Sequence, residues 1–187
     1  MARPAKIAAL IVALSLCGCH TLYNLGRPKA PSGPDSAFLY GYVHSVNGSP
    51  GMIRFYPEGQ GFIAFFHPLP EAWVYDDGMF FLENAHPGKW SLYDLIYGND
   101  MYMMMADDWK SSFFDVRAGQ VRYVGAWEIG KVTRNLFTSD KFELEKVAKP
   151  GPVEMLSRIL AEKDMQGSEW VPRIQAEIKR LRGMGYR

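Results

Sequence analysis

The sequence predicts a mainly β protein: an antiparallel β-sandwich followed by two C-terminal amphipathic α-helices. Short apolar runs recur between residues 38 and 147, and turn-forming stretches such as Asn47-Gly48-Ser49-Pro50 separate them. Many short strands at this spacing are typical of a sandwich or a barrel. After Pro152 the apolar residues recur at the period of a helix instead. The predicted strands cover residues 38–46, 51–57, 61–67, 72–75, 79–83, 89–97, 111–117, 120–131 and 141–147.

Alternation is clearest in the predicted strand 120–131, where every second residue is assigned to a buried face. In the last strand Phe142 and Leu144 alternate with glutamates, so that strand is expected to be half exposed. Two amphipathic helices follow, and Gly167 marks the joint between them. The buried face of strand 120–131 is predicted to carry Val121, Tyr123, Gly125, Trp127 and Ile129. The helical stripes comprise Val153, Leu156, Ile159 and Leu160, and then Trp170, Ile174, Ile178 and Leu181.

The composition is that of one folded domain. The chain has 187 residues, of which 48% are hydrophobic and 14% aromatic, which is enough apolar surface to offset the entropy of ordering. It carries 21 basic and 20 acidic side chains. Removing residues 1–18 would delete only Arg3 and Lys6 and leave 19 basic against 20 acidic groups. Since nucleic-acid binding needs a concentrated basic field, that class of partner is not expected.

The N-terminus has the order of an export signal. Arg3 and Lys6 precede an apolar run, Ile7 to Leu16, which is only ten residues long, whereas a spanning helix needs ~20. The next residues, Leu16-Cys17-Gly18-Cys19, resemble the lipobox of bacterial lipoproteins. This resemblance implies a signal peptide at residues 1–18 and lipidation (palmitate) of Cys19. The alternative is an ordinary secretory signal whose two cysteines form a disulfide or bind metal.

The residues after the lipobox suggest location and reach. Lipoproteins kept in the inner membrane resemble one another in having Asp directly after the lipidated cysteine, whereas this chain has His20. The resemblance therefore favours the outer membrane, on its periplasmic face. Residues 19–37 are rich in Pro, Gly and Ser and are predicted to form the lipid anchor and a flexible tether. In an extended state of ~3.1 Å per residue this tether would reach up to roughly 55 Å. The sandwich domain is assigned to residues 38–149, and a helical tail at 150–187 is expected to pack on or beside it.

Two stretches carry a family resemblance. Residues 81–92 contain Pro87-Gly88 before an aromatic residue, and residues 114–125 contain Ala118-Gly119 before a long strand. Both resemble signatures of the transthyretin-like or carboxypeptidase-regulatory-like sandwiches of uncharacterised bacterial outer-membrane lipoproteins. In each pattern a tight turn leads directly into a strand of the core. The resemblance implies a fold and identifies no catalytic residues.

No pattern in the sequence points to an enzyme or a cofactor. A nucleophilic hydrolase of the elbow type would need Gly-x-Ser-x-Gly, which does not occur. His20, His44, His67 and His86 do not have metal-ligand spacing, and the acid pairs at 76–77 and 107–108 are more typical of turns. A hydrolase acting on envelope polymers would rest on location alone, so neither catalytic residues nor a cofactor are expected.

A methionine-rich segment offers the sharpest alternative. Thioethers of this density bind Cu(I), so a copper or small-ligand site in this segment is a second hypothesis. Methionine also fills cores and adaptable interfaces, which is the favoured interpretation. The weak candidate ligands are Met101, Met103, Met104 and Met105.

Two further sets of side chains suit binding rather than catalysis. Aromatic residues between 62 and 81 either line a groove for an apolar or glycan ligand or, as is favoured, form the core. The C-terminal basic residues either face an acidic partner or anionic headgroups, or are the solvated face of an amphipathic helix. The sequence thus favours a membrane-anchored, non-enzymatic binding or assembly module with an envelope protein as partner. The basic set comprises Arg173, Lys179, Arg180, Arg182 and Arg187.

Overall fold

The computed structural model describes residues 29–45, 50–58, 69–97, 100–104, 112–133 and 140–187. These residues form nine strands, two α-helices and one 3-10 turn. The strands are β1 (Ala37–His44), β2 (Met52–Pro57), β3 (Glu71–Trp73), β4 (Met79–Ala85), β5 (Gly88–Tyr97), β6 (Asp100–Met104), β7 (Phe114–Val116), β8 (Val121–Thr133) and β9 (Asp140–Val147). The helices are α1 (Pro152–Ala161) and α2 (Val171–Gly183), with the 3-10 turn Lys163–Met165 between them.

The strands follow one hydrogen-bonded path that curls into a sandwich-like fold. Its order is β3-β2-β5-β6-β9-β8-β1-β4, and β7 pairs with β5 beside β6. A bridge between Val74 and Phe80 joins the two ends of the path, so the two halves of the sheet face each other. The fold is mainly β with two C-terminal helices, as predicted. The sheet is mixed, however, because β1 pairs with β8 and β6 with β9 in parallel.

The inner core lies between the two halves of the sheet. The ring of Phe80 lies 5.9 Å from that of Phe55 and 6.3 Å from that of Trp127, so β4 contacts both β2 and β8 across the interior. Close approach of β1 and β8 depends on Gly41, where an added Cβ would lie 2.6 Å from Phe80 Cζ and 2.7 Å from the carbonyl oxygen of Gly125. Two glycines therefore let the strands and an aromatic ring pack at this point.

A register shift in β8 corrects the predicted buried face. Tyr40 pairs with Tyr123, but the next residue of β1, Gly41, pairs with Gly125, so β8 holds one extra residue here. Such a bulge reverses the alternation of side chains. Val121 consequently packs on the helix side, whereas Trp127 and Ile129 belong to the inner core. The prediction that all five residues share one face was wrong.

The helices cover the outer face of β4, β1 and β8. A second apolar cluster joins this face to α1, α2 and the 3-10 turn. Trp170 is fully buried there, and its ring lies 5.2 Å from that of Phe38. Tyr123 fixes the segment before α1, since its hydroxyl donates to the Pro150 carbonyl at 2.5 Å. Of the predicted helical stripes, Val153, Leu156, Ile159, Trp170, Ile174, Ile178 and Leu181 are buried and Leu160 is partly buried.

Residues 29–36, which we call the strap, are bound to the domain. The backbone N–H of Ser32 donates to Asn84 Oδ1 at 2.7 Å, and Asn84 Nδ2 donates to the carbonyl of Ala30 at 3.1 Å. Trp170 Nε1 donates to the carbonyl of Lys29 at 2.8 Å. The sequence assigned this stretch to a flexible tether because its Pro, Gly and Ser content favours extended chain. Specific hydrogen bonds to remote residues override that local preference.

Strand β6 was not among the strands predicted from the sequence. The predicted strands 89–97 and 111–117 leave residues 98–110 between them, yet Asp100–Met104 is a strand. Its backbone pairs with β5 on one side and with β9 on the other, and such pairing outweighs local strand propensity. The predicted strand 61–67 lies outside the described residues, and the predicted strand 111–117 is shorter, since β7 spans only Phe114–Val116.

Candidate functional site: an arginine groove and an edge pocket

Several residues that the sequence singled out lie outside the described residues. Cys19 and Met105 are among them, so lipidation remains a prediction. The backbones of Met101, Met103 and Met104 lie in β6. The Cu(I) hypothesis remains untested for this segment.

The predicted aromatic groove does not form among the described members of that set. Phe80 points into the inner core and Phe81 into the helix-side cluster, as adjacent strand residues do. Trp73 is 45% exposed and belongs to neither cluster. Asp77 is a turn residue, because its Oδ1 accepts from the backbone N–H of Met79 at 3.0 Å. The core and turn interpretations therefore account for Phe80, Phe81 and Asp77, but not for the exposed Trp73.

The basic residues of α2 divide between two grooves. Lys179 and Arg182 line a shallow groove between α1 and α2. Arg173 and Arg180 instead border a larger open groove of about 590 Å³ between α2 and the turn before β8, where Arg117 joins them. We call the latter the arginine groove. Arg117 lies more than fifty residues before α2 in the chain, so the helical periodicity that identified the other two arginines could not identify it.

Contacts hold two of the three guanidinium groups of the arginine groove in place. Arg173 lies over the Trp170 ring, 5.1 Å from its centroid, and Nη1 donates to the carbonyl of Ser36 at 3.1 Å. Arg180 donates through Nε and Nη2 to the two carboxylate oxygens of Glu177, both at 2.7 Å. The hydrogen bonds to Glu177 are the main cause of the raised pKa of Arg180. Both side chains are therefore pre-positioned, which lowers the entropy lost when they bind an anion.

The charge of this groove is positive. Glu177 is its one carboxylate among the described lining residues, and it is already bonded to Arg180. Arg117 is exposed, and its guanidinium has no hydrogen-bond or ion-pair partner in the described part of the chain. Planar guanidinium groups bind carboxylates and phosphates with two parallel hydrogen bonds. The arrangement is suited to recognising an anion rather than to acid–base chemistry.

A second cavity opens between β7 and β8. β2 occupies one side of β5, so β6 and β7 pair with its other side, at opposite ends of the strand. β9 pairs with β8 only from Ala126 onward. Residues 121–125 of β8 therefore have β1 on one side and no described strand on the other. The space between them and β7 is a pocket of about 360 Å³, which we call the edge pocket.

The edge pocket joins core aromatic residues to polar groups. Trp127 and Phe114, both buried, form part of its wall. Arg122 pairs in register with Leu39, an inner-core residue, so its side chain lies on the inner side of the sheet. The Arg122 Nε atom is buried and has no hydrogen-bond partner among the described residues. An orphaned buried donor of this kind is uncommon, since such groups cost free energy unless a partner satisfies them.

A buried ion pair lies apart from both cavities. Arg54 on β2 binds the carboxylate of Asp94 on β5 through two hydrogen bonds, one of them from Nε to Oδ1 at 2.8 Å. The Asp94 side chain is fully buried and that of Arg54 is 23% exposed. Burial raises the pKa of Asp94, whereas the hydrogen bonds and charge of Arg54 oppose the rise. The pair links two neighbouring strands and lines neither cavity.

The described residues contain neither a metal-binding cluster nor a membrane-spanning helix. No group of three or more His, Cys, Asp or Glu side chains in those residues is placed to hold a metal ion. No helix there is long and apolar enough to cross a membrane.

Comparisons with known proteins leave the family open. No protein-family model matches the chain. No curated protein matches it either. Among solved structures the chain is similar to a DUF3823 family protein from Parabacteroides merdae, with 12% sequence identity and a TM-score of 0.30. The alignment covers 64% of this chain and 61% of that one, so the chain spans less than two thirds of that protein.

Proposed function

We propose that the protein is a bacterial lipoprotein, anchored through Cys19 in the outer membrane and facing the periplasm, that acts as a non-enzymatic binding or assembly module. The sequence Leu16-Cys17-Gly18-Cys19 supports the anchor. The sandwich-like fold is compatible with the transthyretin-like resemblance of residues 81–92 and 114–125, which forms part of the proposal. The positive charge of the arginine groove supports a role in binding.

The proposed docking site is the arginine groove, and its occupant is an acidic segment of an envelope protein. The observation that carries this proposal is the meeting of Arg117, Arg173 and Arg180 around one groove, whose described lining has one carboxylate, already bonded to Arg180. A partner carboxylate would supply the bidentate contact that guanidinium groups prefer and that Arg117 does not make within the described residues. Complementary charge of this kind also steers association and excludes basic partners.

The strap limits how far from the membrane this docking takes place. Because the chain is hydrogen-bonded to the domain from Lys29 onward, only residues 19–28 remain to link the domain to a lipid on Cys19. Ten residues of fully extended chain span roughly 35 Å at most. This reach is shorter than the one that the composition of residues 19–37 predicts. The partner must therefore present its acidic segment close to the membrane surface.

Site-specific photocrosslinking in cells tests the docking site. A photoreactive residue is placed at Ala118 or Ala176, two exposed positions that line the groove, in the full-length lipidated chain. We expect a recurrent crosslinked protein, identified by mass spectrometry. Arg117→Glu should reduce this product at least tenfold, since charge reversal replaces an attraction by a repulsion. Lys131→Glu is the matched control, because it makes the same change of charge roughly 30 Å along β8.

The outcomes separate two kinds of occupant. Loss of the crosslinked protein in Arg117→Glu but not in Lys131→Glu supports the proposal. Equal yields in both variants would reject the groove as the docking site. If the groove crosslinks to lipid and Arg117→Glu weakens binding to anionic vesicles, the occupant is the membrane surface and the assignment of a protein partner is wrong.

The anchor has its own test. Cells grown with a labelled fatty acid should incorporate the label into the full-length chain and lose it in Cys19→Ala. The labelled protein should sediment with outer-membrane rather than inner-membrane fractions. Label that remains in Cys19→Ala but disappears in Cys17→Ala would move the anchor to the other cysteine. Absence of label from the unchanged chain would remove the lipoprotein proposal.

A further inference from the structure

We propose that the edge pocket is a binding site for a small monocarboxylate with an aromatic or branched apolar body. The proposal does not depend on the docking role of the arginine groove, since different side chains line the two cavities. It starts from the topology. Among the described strands, β7 and β9 leave part of β8 unpaired, and this gap opens toward the inner core.

The size of the pocket favours a small ligand. Its volume of about 360 Å³ lies near the lower end of the range of small-molecule sites, roughly 300 to 1,000 Å³. The indole of Trp127 and the ring of Phe114 form an apolar wall, and Leu144 of β9 adds to it. Pockets that bind small molecules usually combine such walls with a few polar groups that orient the ligand. An aromatic or branched apolar body fits these walls.

The polar groups select the charge of the ligand. Arg122 and Lys146 are the cationic side chains of the lining, and Asp115 is its one carboxylate among the described residues. Asp115 is exposed and lies between Phe114 and Val116, two core residues, so strand alternation turns its side chain away from the interior. The net charge of the described lining residues is one positive unit. Asp115 and Lys146 are both exposed and offset each other at the rim, so Arg122 remains as the cation that a monoanion would neutralise.

The buried Nε of Arg122 points to the contact that a carboxylate would make. In the described structure this donor has no hydrogen-bond partner. A carboxylate oxygen accepting from Arg122 would satisfy the donor and form a charge-assisted bond, the strong class of hydrogen bond. Lys146 at the rim adds a second, more exposed cation. A neutral amide of the same shape would keep the apolar contacts and lose the ionic ones.

Calorimetry with a matched pair of probes tests the proposal. The full-length chain in lipid nanodiscs is titrated with 3-phenylpropionate and, separately, with its neutral analogue 3-phenylpropionamide; empty nanodiscs correct for partitioning into lipid. We expect the acid to bind at least tenfold more tightly than the amide, as expected for a hydrogen bond to a charged group. Arg122→Gln should abolish this preference, and Lys146→Gln should reduce it by a smaller factor.

A control variant and a check that each variant is folded are needed to interpret the titrations. Lys131→Gln removes the same charge from an exposed position that lines neither cavity and should leave the preference for the acid unchanged. Circular dichroism checks the fold of each variant, and Lys146→Gln, on an exposed position, serves if Arg122→Gln does not fold. Equal affinity for the acid and the amide, or no binding of either, would overturn the proposal. So would an acid preference that both Arg122→Gln and Lys146→Gln retain.

Discussion

The ion pair between Arg54 and Asp94 allows the energetics of the fold to be tested directly. Arg54→Met removes the guanidinium and leaves a fully buried carboxylate on β5 without it. Breaking a buried pair on one side costs about 3–5 kcal/mol, because the remaining charge is not compensated. The double variant Arg54→Met/Asp94→Leu removes both charges. Its free energy of unfolding should lie within about 1 kcal/mol of that of the unchanged chain. Urea unfolding followed by tryptophan fluorescence measures these free energies.

The pH dependence of the Arg54→Met penalty gives the sharper test. Burial raises the pKa of Asp94 and Arg54 opposes the rise, so removing Arg54 raises that pKa further. The folded variant therefore takes up a proton at a pH where the unfolded chain does not. Stability lost at about pH 7.5 should return in part at about pH 5, as the pH falls through the raised pKa. A loss below about 1 kcal/mol, or the same loss at both pH values, would refute this reasoning.

Four other substitutions probe the packing. Tyr40→Phe removes a buried hydroxyl without a partner in the described structure, so it should leave the free energy of unfolding unchanged or raise it. Tyr123→Phe loses a hydrogen bond and should lower the free energy of unfolding by about 1 kcal/mol, measured by thermal unfolding. Equal losses in the two variants would mean that the Tyr40 hydroxyl has a partner. Gly41→Ala should cost about 1–3 kcal/mol by the same measurement, because its Cβ would overlap a buried ring and a backbone carbonyl. Trp170→Phe removes the donor to the Lys29 carbonyl, so amide exchange in the strap should accelerate; unchanged protection would show that this bond does not hold it.

Local patterns predicted the elements of this fold better than their arrangement. The helical stripes around Leu156 and Ile178 were identified from period alone, because an amphipathic helix must bury one continuous face. The parallel pairing of β1 with β8 joins segments about eighty residues apart, and no local period encodes it. The bulge at Gly125 was missed for a related reason. One extra residue shifts the alternation, and only the partner strand reveals the shift.

The binding surfaces were predictable only in part, and for the same reason. Arg173 and Arg180 were recognised as basic residues of one helix, but Arg117 reaches their groove from the turn before β8. Arg122 was assigned to the exposed face of its strand, whereas its side chain borders the inner core in the register that β1 imposes. Composition indicates which residues are able to bind an anion. Topology decides which of them meet.

The first residues of β8 take part in both proposed sites. Val121 lines the arginine groove on the helix side, and Arg122, the next residue, lines the edge pocket on the inner side. Adjacent strand residues point to opposite faces, so one short segment of backbone supports two cavities. A substitution that shifts this backbone would alter both sites together, whereas one that only truncates a side chain should affect one of them. For this reason Arg117→Gln and Arg122→Gln must each be measured against both ligands: effects confined to one site identify side-chain recognition, and joint effects identify a displaced strand.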